Sequence, residues 1–328
     1  MDQRTKQRFD SNHDFIIGEA SRRFGLEEAS VKRLGSFESA VYEITKDGIP
    51  HILKATDEAH RHVDLIRSEL HWVNYLADNG VPLCRAVESL DGQTVETISL
   101  PDTGEAVSLI LFEKAPGAKL TPETCDDALV HTWGECLGQM HALTSKYIPG
   151  GRRRNDWFDD RDLIPMDDIE PEVVEKLNAA ISRLKALPRS EKTYGLVHLD
   201  LHHGNFFVHK GRMKIFDTDD CHYDYFANDV AIPLYYYFRD KKLGQRKVEN
   251  ARRFFGNLLE GYSRHYQFER EWLGQVQDFL SFRRLLLYII VVGENLVATD
   301  PSFREFIEDY YEGITQEIPV VDLDFTAL

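Results

Sequence analysis

Residues whose types and spacing suit a chemical reaction are concentrated in one stretch, Gly195 to Asp220. It reads GLVHLDLHHGNFFVHKGRMKIFDTDD. Its first residues form a short apolar strand that ends at Val197. Asp200 and Asn205 follow in a polar loop. A carboxylate in such a loop can accept a proton, and an amide oxygen suits a hard cation such as Mg²⁺.

A hairpin is predicted directly after this loop. Strands over 205–209 and 212–217 flank the two-residue turn Lys210-Gly211. In that register Asn205 lies beside Asp217 at the open end of the hairpin. The pair then offers two oxygen ligands for Mg²⁺. A polar hairpin end with turn-favouring Asp and Asn is the plainer alternative, and the pair alone leaves it open.

The spacing His198-x-Asp200-x₄-Asn205, followed by Asp217, is typical of the phosphoryl-transfer template of kinases. That template also needs a lysine on the third strand and a glutamate on the next helix. Lys54 closes the apolar run HIL and supplies the lysine. Glu69 falls on the buried stripe of the helix predicted over 60–79. A buried carboxylate needs a partner, and Lys54 is the candidate, although a solvent-facing Glu69 stays an alternative.

The elements that must position these residues change partway along the chain. Residues 31–112 read as short strands, with Asp-Gly turns at 47–48 and 91–92 and the one helix over 60–79. The remainder is mostly helical, over 123–146, 171–187, 228–238, 247–266, 269–297 and 301–316. We predict an α+β protein with two lobes: a small β-rich nucleotide-binding lobe over 1–113 and a larger helical catalytic and acceptor-binding lobe over 114–328.

Composition narrows the class of protein. The chain has 328 residues and a formal net charge of −16, which argues against nucleic acid as a partner. Its four cysteines form no CxxC pair, and the amino terminus has no apolar core like that of a signal peptide. The apolar run 285–292 is short enough to be a buried helix rather than a membrane span. These features predict a cytoplasmic protein without a membrane partner.

The chain resembles the aminoglycoside phosphotransferase and choline kinase-like family, which includes type II homoserine kinases. HLDLHHGN is similar to the family's HGDLHxGN, and IFDTDD resembles its I-D-F-x-D segment. LGSFESAVYEI, HILKA, SELHWVNYL, FEKAPG, LGQMHALT and YFANDVA also look like family segments. The resemblance extends from about residue 12 to near the end. It implies a protein-kinase-like fold that uses ATP and Mg²⁺.

The resemblance also implies roles for single residues. Asp200 would be the catalytic base, Asn205 and Asp217 would hold magnesium, and Asp229 would brace the catalytic loop. Nucleotide binding would fall to Lys54, Glu69, Ser36, Glu113 and Ala115, with Lys54 on the α/β-phosphates and Glu69 orienting it.

Three departures from the family pattern affect these roles. Leu199 stands where the family usually has glycine. Thr218 replaces the usual aromatic residue after the metal aspartate. The phosphate loop 34–39, which contains Ser36, has a single glycine and so departs from a glycine-rich loop.

The predicted reaction is ATP-dependent phosphorylation of a small hydroxyl compound, such as an aminoglycoside, an amino alcohol or a homoserine-like molecule. The carboxylates Asp219, Asp220 and Asp224 after Asp217 favour an amine-bearing acceptor. Solvated turn carboxylates are the plainer interpretation. A homodimer is compatible with the sequence.

Three other functions are weighed against this one. One is a serine/threonine protein kinase of the stress-response type, although only eleven residues separate Asp217 from Asp229, too few for an activation loop with a peptide platform. The second is a nucleotide-binding pseudokinase. The third, a metal-dependent hydrolase, would use His198, His202 and His203 but leaves Lys54 unexplained.

Overall fold

The computed structural model describes residues 3–36, 39–159, 166, 168–300 and 303–328. These residues form two compact units. The first unit comprises Met1–Gly117, Tyr147–Arg154 and Lys214–Asp219. The second unit comprises Ala118–Lys146, Asn155–Met213 and Asp220–Leu328. Segments far apart in sequence therefore complete the first unit.

The first unit is built on an antiparallel sheet. Its strands in the described residues are β1 (Glu27–Ser36), β2 (Ala40–Lys46), β3 (Ile49–Asp57), β4 (Ala86–Val87), β5 (Glu96–Ser99) and β6 (Ala106–Glu113). They pair in the order β1-β2-β3-β6-β4, with β5 on β6. Asp47 and Gly48 both have positive φ, 51° and 75°, as the predicted two-residue hairpin between β2 and β3 requires.

Helix α3 (Val63–Asp78) follows β3, as the sequence predicts. Its apolar stripe is buried through Ile66, Leu70, Val73 and Leu76. Two amino-terminal helices, α1 (Gln3–Ser11) and α2 (His13–Phe24), were not predicted from the sequence. Their apolar side chains join those of the sheet in one hydrophobic core, which includes Phe9, Ile16, Phe24, Tyr42, Leu53 and Leu109.

The second unit is mostly helical, which together with the sheet confirms the α+β prediction. Its helices are α4 (Asp127–Thr144), α5 (Pro171–Lys185), α6 (Phe226–Arg239), α7 (Val248–Tyr262), α8 (Val276–Gly293), α9 (Leu296–Thr299) and α10 (Phe303–Thr315). The 3₁₀ turns Arg270–Gln275 and Phe325–Ala327 interrupt or end the helical region. Among the described residues, no helix is long and apolar enough to cross a membrane.

Short strands lie among these helices. β7 (Tyr194–Val197) pairs antiparallel with β10 (His222–Tyr225). β8 (Phe206–His209) forms a separate two-stranded sheet with β9 (Arg212–Ile215). The connecting turn has positive φ at Lys210 (51°) and Gly211 (73°), which confirms the predicted hairpin turn.

Helices α4 and α7 approach each other closely because glycines line their contact. A Cβ atom added at Gly134 would lie 1.9 Å from the Leu258 carbonyl oxygen. A Cβ added at Gly261 would lie 1.9 Å from the carbonyl oxygen of His131. Neither position tolerates a side chain, so the two helices are held backbone to backbone. This packing places His141 of α4 against Tyr262 of α7.

Candidate active site

The loop between β7 and β8 carries Asp200 and Asn205 in direct contact. The Asn205 amide nitrogen donates to the Asp200 carboxylate oxygen Oδ2 at 2.8 Å and to its backbone carbonyl at 2.9 Å. With both hydrogens of the amide directed at Asp200, the Asn205 carbonyl oxygen remains available as a ligand for a hard cation. Asn205 is buried, so its orientation is fixed by these bonds.

Asp229 of α6 is hydrogen-bonded to this loop. Its Oδ1 accepts a hydrogen bond from the Leu199 backbone N–H at 2.7 Å, and its Oδ2 lies 2.9 Å from His141 Nε2. The other ring nitrogen of His141 lies 2.8 Å from the Tyr262 hydroxyl, and the ring stacks on Phe226. Asp229 and His141 are both fully buried. The helix pair α4–α7 is thus linked to the loop between β7 and β8 through His141 and Asp229.

Leu199 adopts a left-handed backbone conformation, with φ of 63°. A leucine is strained there, whereas glycine is not. The glycine that the family usually has at this position therefore has a physical reason. The bond from Leu199 N–H to Asp229 helps to hold the strained residue in place.

Arg283 of α8 is a site residue that sequence reasoning missed. Its guanidinium contacts Asp200 Oδ1 and donates to the Tyr236 hydroxyl at 2.7 Å. Burial alone would raise the pKa of Asp200, but the charge of Arg283 and a hydrogen bond from His202 lower it. Asp200 is therefore held ionised. No local signal marks Arg283, because it lies 83 residues further along the chain.

The histidines of the loop do not converge as a metal site. His198 Nδ1 lies 3.4 Å from the Asp200 backbone nitrogen, and His202 stacks on Tyr236 at 4.2 Å between ring centroids. His203 Nε2 lies 3.6 Å from an Asp240 carboxylate oxygen. Among the described residues, no group of three or more His, Cys, Asp or Glu side chains could hold a metal ion. Within the part of the chain that the structure describes, the buried Nε2 of His198 has no hydrogen-bond partner.

In the first unit, Lys54 lies on β3 and Glu69 on α3, as predicted. The Lys54 ammonium contacts Asp219 and lies 3.6 Å from Asp217 Oδ1. Glu69 is buried, as its place on the stripe predicts, and its hydrogen-bond donor is the Thr218 hydroxyl at 2.7 Å. Thr218, the departure from the family pattern, thus partners the carboxylate that was expected to bind Lys54.

Asp219 is at the centre of the charges in this unit. Arg61 lies 3.1 Å from its carboxylate, and Arg154 donates to its backbone carbonyl at 2.7 Å. Burial works to raise the pKa of Asp219, but the charges of Lys54 and Arg61 lower it strongly. For Glu69, burial and the charge of Asp219 win, and they raise its pKa to about 6.

The remaining nucleotide-binding candidates lie at or just after the ends of strands. Glu113 ends β6, where its carboxylate lies 2.8 Å from Lys214 Nζ and accepts from the Arg85 backbone N–H at 3.3 Å. Ala115 is buried two residues later. Ser36 ends β1, and part of the predicted phosphate loop, residues 37 and 38, lies outside the described residues. The hydroxyl of Ser39 is engaged with Thr56 at 2.8 Å.

Two of the three carboxylates that suggested an amine-bearing acceptor, Asp219 and Asp224, are bound inside the protein. Asp219 is neutralised by Lys54 and Arg61. Asp224 is buried, where it accepts from the Asn228 side chain at 2.7 Å and from the Tyr225 backbone N–H at 2.6 Å. Neither faces solvent as a free anion. Asp219 and Asp224 therefore give no support to an amine-bearing acceptor, because both side chains are committed to contacts inside the protein. The amine-bearing acceptor itself stays a prediction.

The fold and these two groups of residues define a phosphotransferase. Residues 30–274 match the model of the phosphotransferase enzyme family, and the chain belongs to that family. It is 32% identical to the amicoumacin kinase of Bacillus subtilis (strain 168) over 323 residues, which cover 95% of each chain.

Solved structures show the same relationship. An amicoumacin kinase in complex with AMP-PNP, Ca²⁺ and Ami has a TM-score of 0.90 and 30% identity, covering 100% of this chain and 99% of that one. A microcompartment-associated aminopropanol kinase has a TM-score of 0.74 at 20% identity, covering 92% and 95%, and shares the fold.

These comparisons confirm the kinase-like fold and the enzyme class. The protein is an ATP-dependent kinase that phosphorylates a hydroxyl group of a small molecule, and it uses a divalent cation such as Mg²⁺ with the nucleotide. They give no support to the protein kinase, pseudokinase or hydrolase alternatives. Sequence reasoning thus identified the reaction, and it left the acceptor and the roles of single residues as predictions.

Proposed function

We propose that this kinase phosphorylates a hydroxyl group of an amicoumacin-like antibiotic. The support is the 32% identity with the Bacillus subtilis amicoumacin kinase across 95% of both chains. A second amicoumacin kinase, whose complex contains AMP-PNP and Ami, matches this chain over its whole length. The proposed acceptor is a small molecule, as the sequence predicts, and is more specific than the aminoglycosides, amino alcohols and homoserine-like molecules considered there.

Asp200 is the proposed base that orients the acceptor hydroxyl and takes its proton. The observation that carries this role is the geometry of the loop. Asn205 fixes one carboxylate oxygen of Asp200 at 2.8 Å, while Asp229 holds the loop through Leu199. A base held in this way contributes by position as well as by basicity.

The first unit is proposed to bind the nucleotide, in keeping with the predicted division into 1–113 and 114–328. Lys54 of β3 binds the α/β-phosphates, and the negative charge of Glu69 favours the charged form of that lysine, whose ammonium contacts Asp219. The side chain of Asp217 is about half exposed, 52%, and lies 3.6 Å from the Lys54 ammonium. Asn205 and Asp217 offer the oxygen ligands that Mg²⁺ prefers. When bound, Mg²⁺ neutralises developing charge on the phosphates.

Ser36, Glu113 and Ala115 complete the proposed nucleotide contacts. A cytoplasmic location and a homodimer stay predictions, and size-exclusion chromatography with light scattering tests the second. None of the catalytic roles proposed for Asp200, Asn205 or Lys54 depends on a second copy of the chain.

The direct test is phosphate transfer from ATP to a panel of acceptors. The panel contains amicoumacin, an aminopropanol, choline, homoserine and an aminoglycoside, and kcat/KM is compared across it. Amicoumacin should give the highest value, with the product phosphorylated on a hydroxyl. The variant Asp200→Asn keeps the shape of the side chain and should lose about 10²–10⁴-fold in turnover while still binding nucleotide.

The outcomes separate the parts of this proposal. A higher kcat/KM for another acceptor would replace the substrate and leave the kinase class intact. Near-wild-type turnover in Asp200→Asn would remove Asp200 as the base, whatever the acceptor.

A further inference from the structure

Arg283 reaches Asp200 from a distant helix and is itself held in place. It lies on α8, and its guanidinium is shared between Asp200 Oδ1 and the Tyr236 hydroxyl of α6. The centre of the guanidinium lies 5.3 Å from the centroid of the Tyr236 ring. Tyr236 in turn stacks on His202 of the catalytic loop, with ring planes 23° apart. Tyr236 therefore contacts both Arg283 and the loop that carries Asp200, and it holds the arginine next to that loop.

The two oxygens of Asp200 are held from different elements. Oδ1 contacts Arg283, while Oδ2 accepts from Asn205 at 2.8 Å and lies 3.4 Å from His202 Nε2. A carboxylate with both oxygens bound cannot rotate about its terminal bond without breaking a charge-assisted hydrogen bond. The orientation of Asp200 is thus set by Arg283 together with the loop.

We propose that Arg283 is a positioning residue for phosphoryl transfer, which fixes the direction in which Asp200 presents its carboxylate to the acceptor hydroxyl. This inference rests on the proposed role of Asp200 as the base. Tyr236 supports it one step further out, because its hydroxyl anchors the guanidinium. Arginine suits this task better than lysine, because its planar fork keeps one geometry toward two partners.

A purely structural ion pair is the competing explanation. Buried ion pairs can often be replaced by apolar residues without loss of stability, so burial alone does not show a role in the reaction. The two explanations predict different effects when Arg283 is replaced. A positioning residue acts only through Asp200, whereas a structural residue affects all activities through the folded fraction.

A double-mutant cycle on the full-length enzyme separates them. Arg283→Met should lower kcat by about 10²-fold, the size of effect that misplacement of a catalytic group produces. The KM for ATP should stay unchanged. In an Asp200→Asn background, Arg283→Met should change the residual rate little, because the group that it positions no longer acts as a base.

Arg284→Met is the matched control. Arg284 is the next residue on α8, is buried, and donates to the Ile318 backbone carbonyl at 2.6 Å. Its replacement should lower the free energy of unfolding without changing kcat of the folded enzyme. Tyr236→Phe keeps the ring on His202, removes the anchor of Arg283, and should lower kcat by less than Arg283→Met.

Chemical rescue supplies a readout that does not depend on the residual rate of the Asp200 variant. Millimolar guanidinium should raise the kcat of Arg283→Ala but not that of the wild type. Urea at the same concentration should leave the kcat of both enzymes unchanged. Wild-type kcat in Arg283→Met, or absence of guanidinium rescue together with additive losses in the cycle, would overturn the proposal. If Asp200→Asn itself keeps wild-type turnover, the proposed role of Asp200 fails instead, so the two failures are distinguishable.

Discussion

Asp219 and Asp224 are five residues apart, yet the two units treat these carboxylates in opposite ways. In the first unit, the charges of Lys54 and Arg61 outweigh burial and lower the pKa of Asp219. In the second unit, burial dominates for Asp224 and raises its pKa to about 8, because its hydrogen-bond donors, Asn228 and a backbone N–H, are uncharged. A carboxyl surrounded by cations stays ionised, and one met only by neutral donors takes up a proton.

The two carboxyl groups therefore differ in what they do: Asp219 belongs to a cluster of charged side chains, whereas Asp224 makes a structural contact. The carboxylate of Asp219 holds Lys54 and Arg61, whose positive charges suit a phosphate-bearing ligand. Asp224 lies in β10, just before α6, and ties the start of that helix through Asn228. Proximity in sequence to the predicted metal ligand Asp217 therefore says little about function. The neighbouring charges decide it.

The largest effect is expected at Asp217, the exposed carboxylate beside this cluster. Asp217→Ala should weaken binding of Mg·ATP by more than about 10²-fold, since losing even an outer-shell partner of a metal costs 10–100-fold. Asn205→Ala should cost less, because it removes a neutral oxygen rather than a charged one. Isothermal calorimetry measures both affinities, and binding of ATP without Mg²⁺ is the control. Unchanged Mg·ATP affinity in Asp217→Ala would contradict the metal assignment.

Asp224 should give the protein a pH-dependent stability. Because its folded pKa, about 8, lies above the ordinary value of 3.8, the folded state keeps a proton that the unfolded state releases. Stability from this group is full below the ordinary value and is lost as pH rises toward 8, by up to about 1.4 kcal/mol per pH unit. Asp224→Asn should remove that slope from urea unfolding curves. Parallel pH profiles for variant and wild type would show that Asp224 is ionised when folded.

The smallest effect is expected at Leu199, where the backbone of the loop between β7 and β8 is strained. The left-handed conformation costs leucine about 1–2 kcal/mol, and Leu199→Gly should recover this. The greater freedom of glycine in the unfolded chain offsets about 0.5–1 kcal/mol. Leu199→Ala shortens the side chain without relieving the strain and is the matched control. Thermal unfolding should rank the glycine variant above the alanine variant, and the reverse order would mean that φ at this position is not strained.

Local patterns determined much of this protein in advance. Turn chemistry predicts the turn at Lys210-Gly211. Hydrophobic periodicity predicts the buried stripe that includes Glu69 and places Lys54 on the third strand. The spacing from Asp200 to Asn205 is short, so one loop conformation brings the two side chains together. Such features depend on residues a few positions apart, and the sequence carries them directly.

Contacts across long separations were decided only by the tertiary structure. Arg283 reaches Asp200 from 83 residues away, and Asp219 meets Lys54 across 165 residues. Neither pairing leaves a periodic or spacing signal, and the sequence argument wrongly treated Asp219 and Asp224 as similar free anions. The charge of a carboxyl group depends on which cations the fold brings within a few ångströms of it. That distance is a property of the packed chain, and a residue's type and position in the sequence do not contain it.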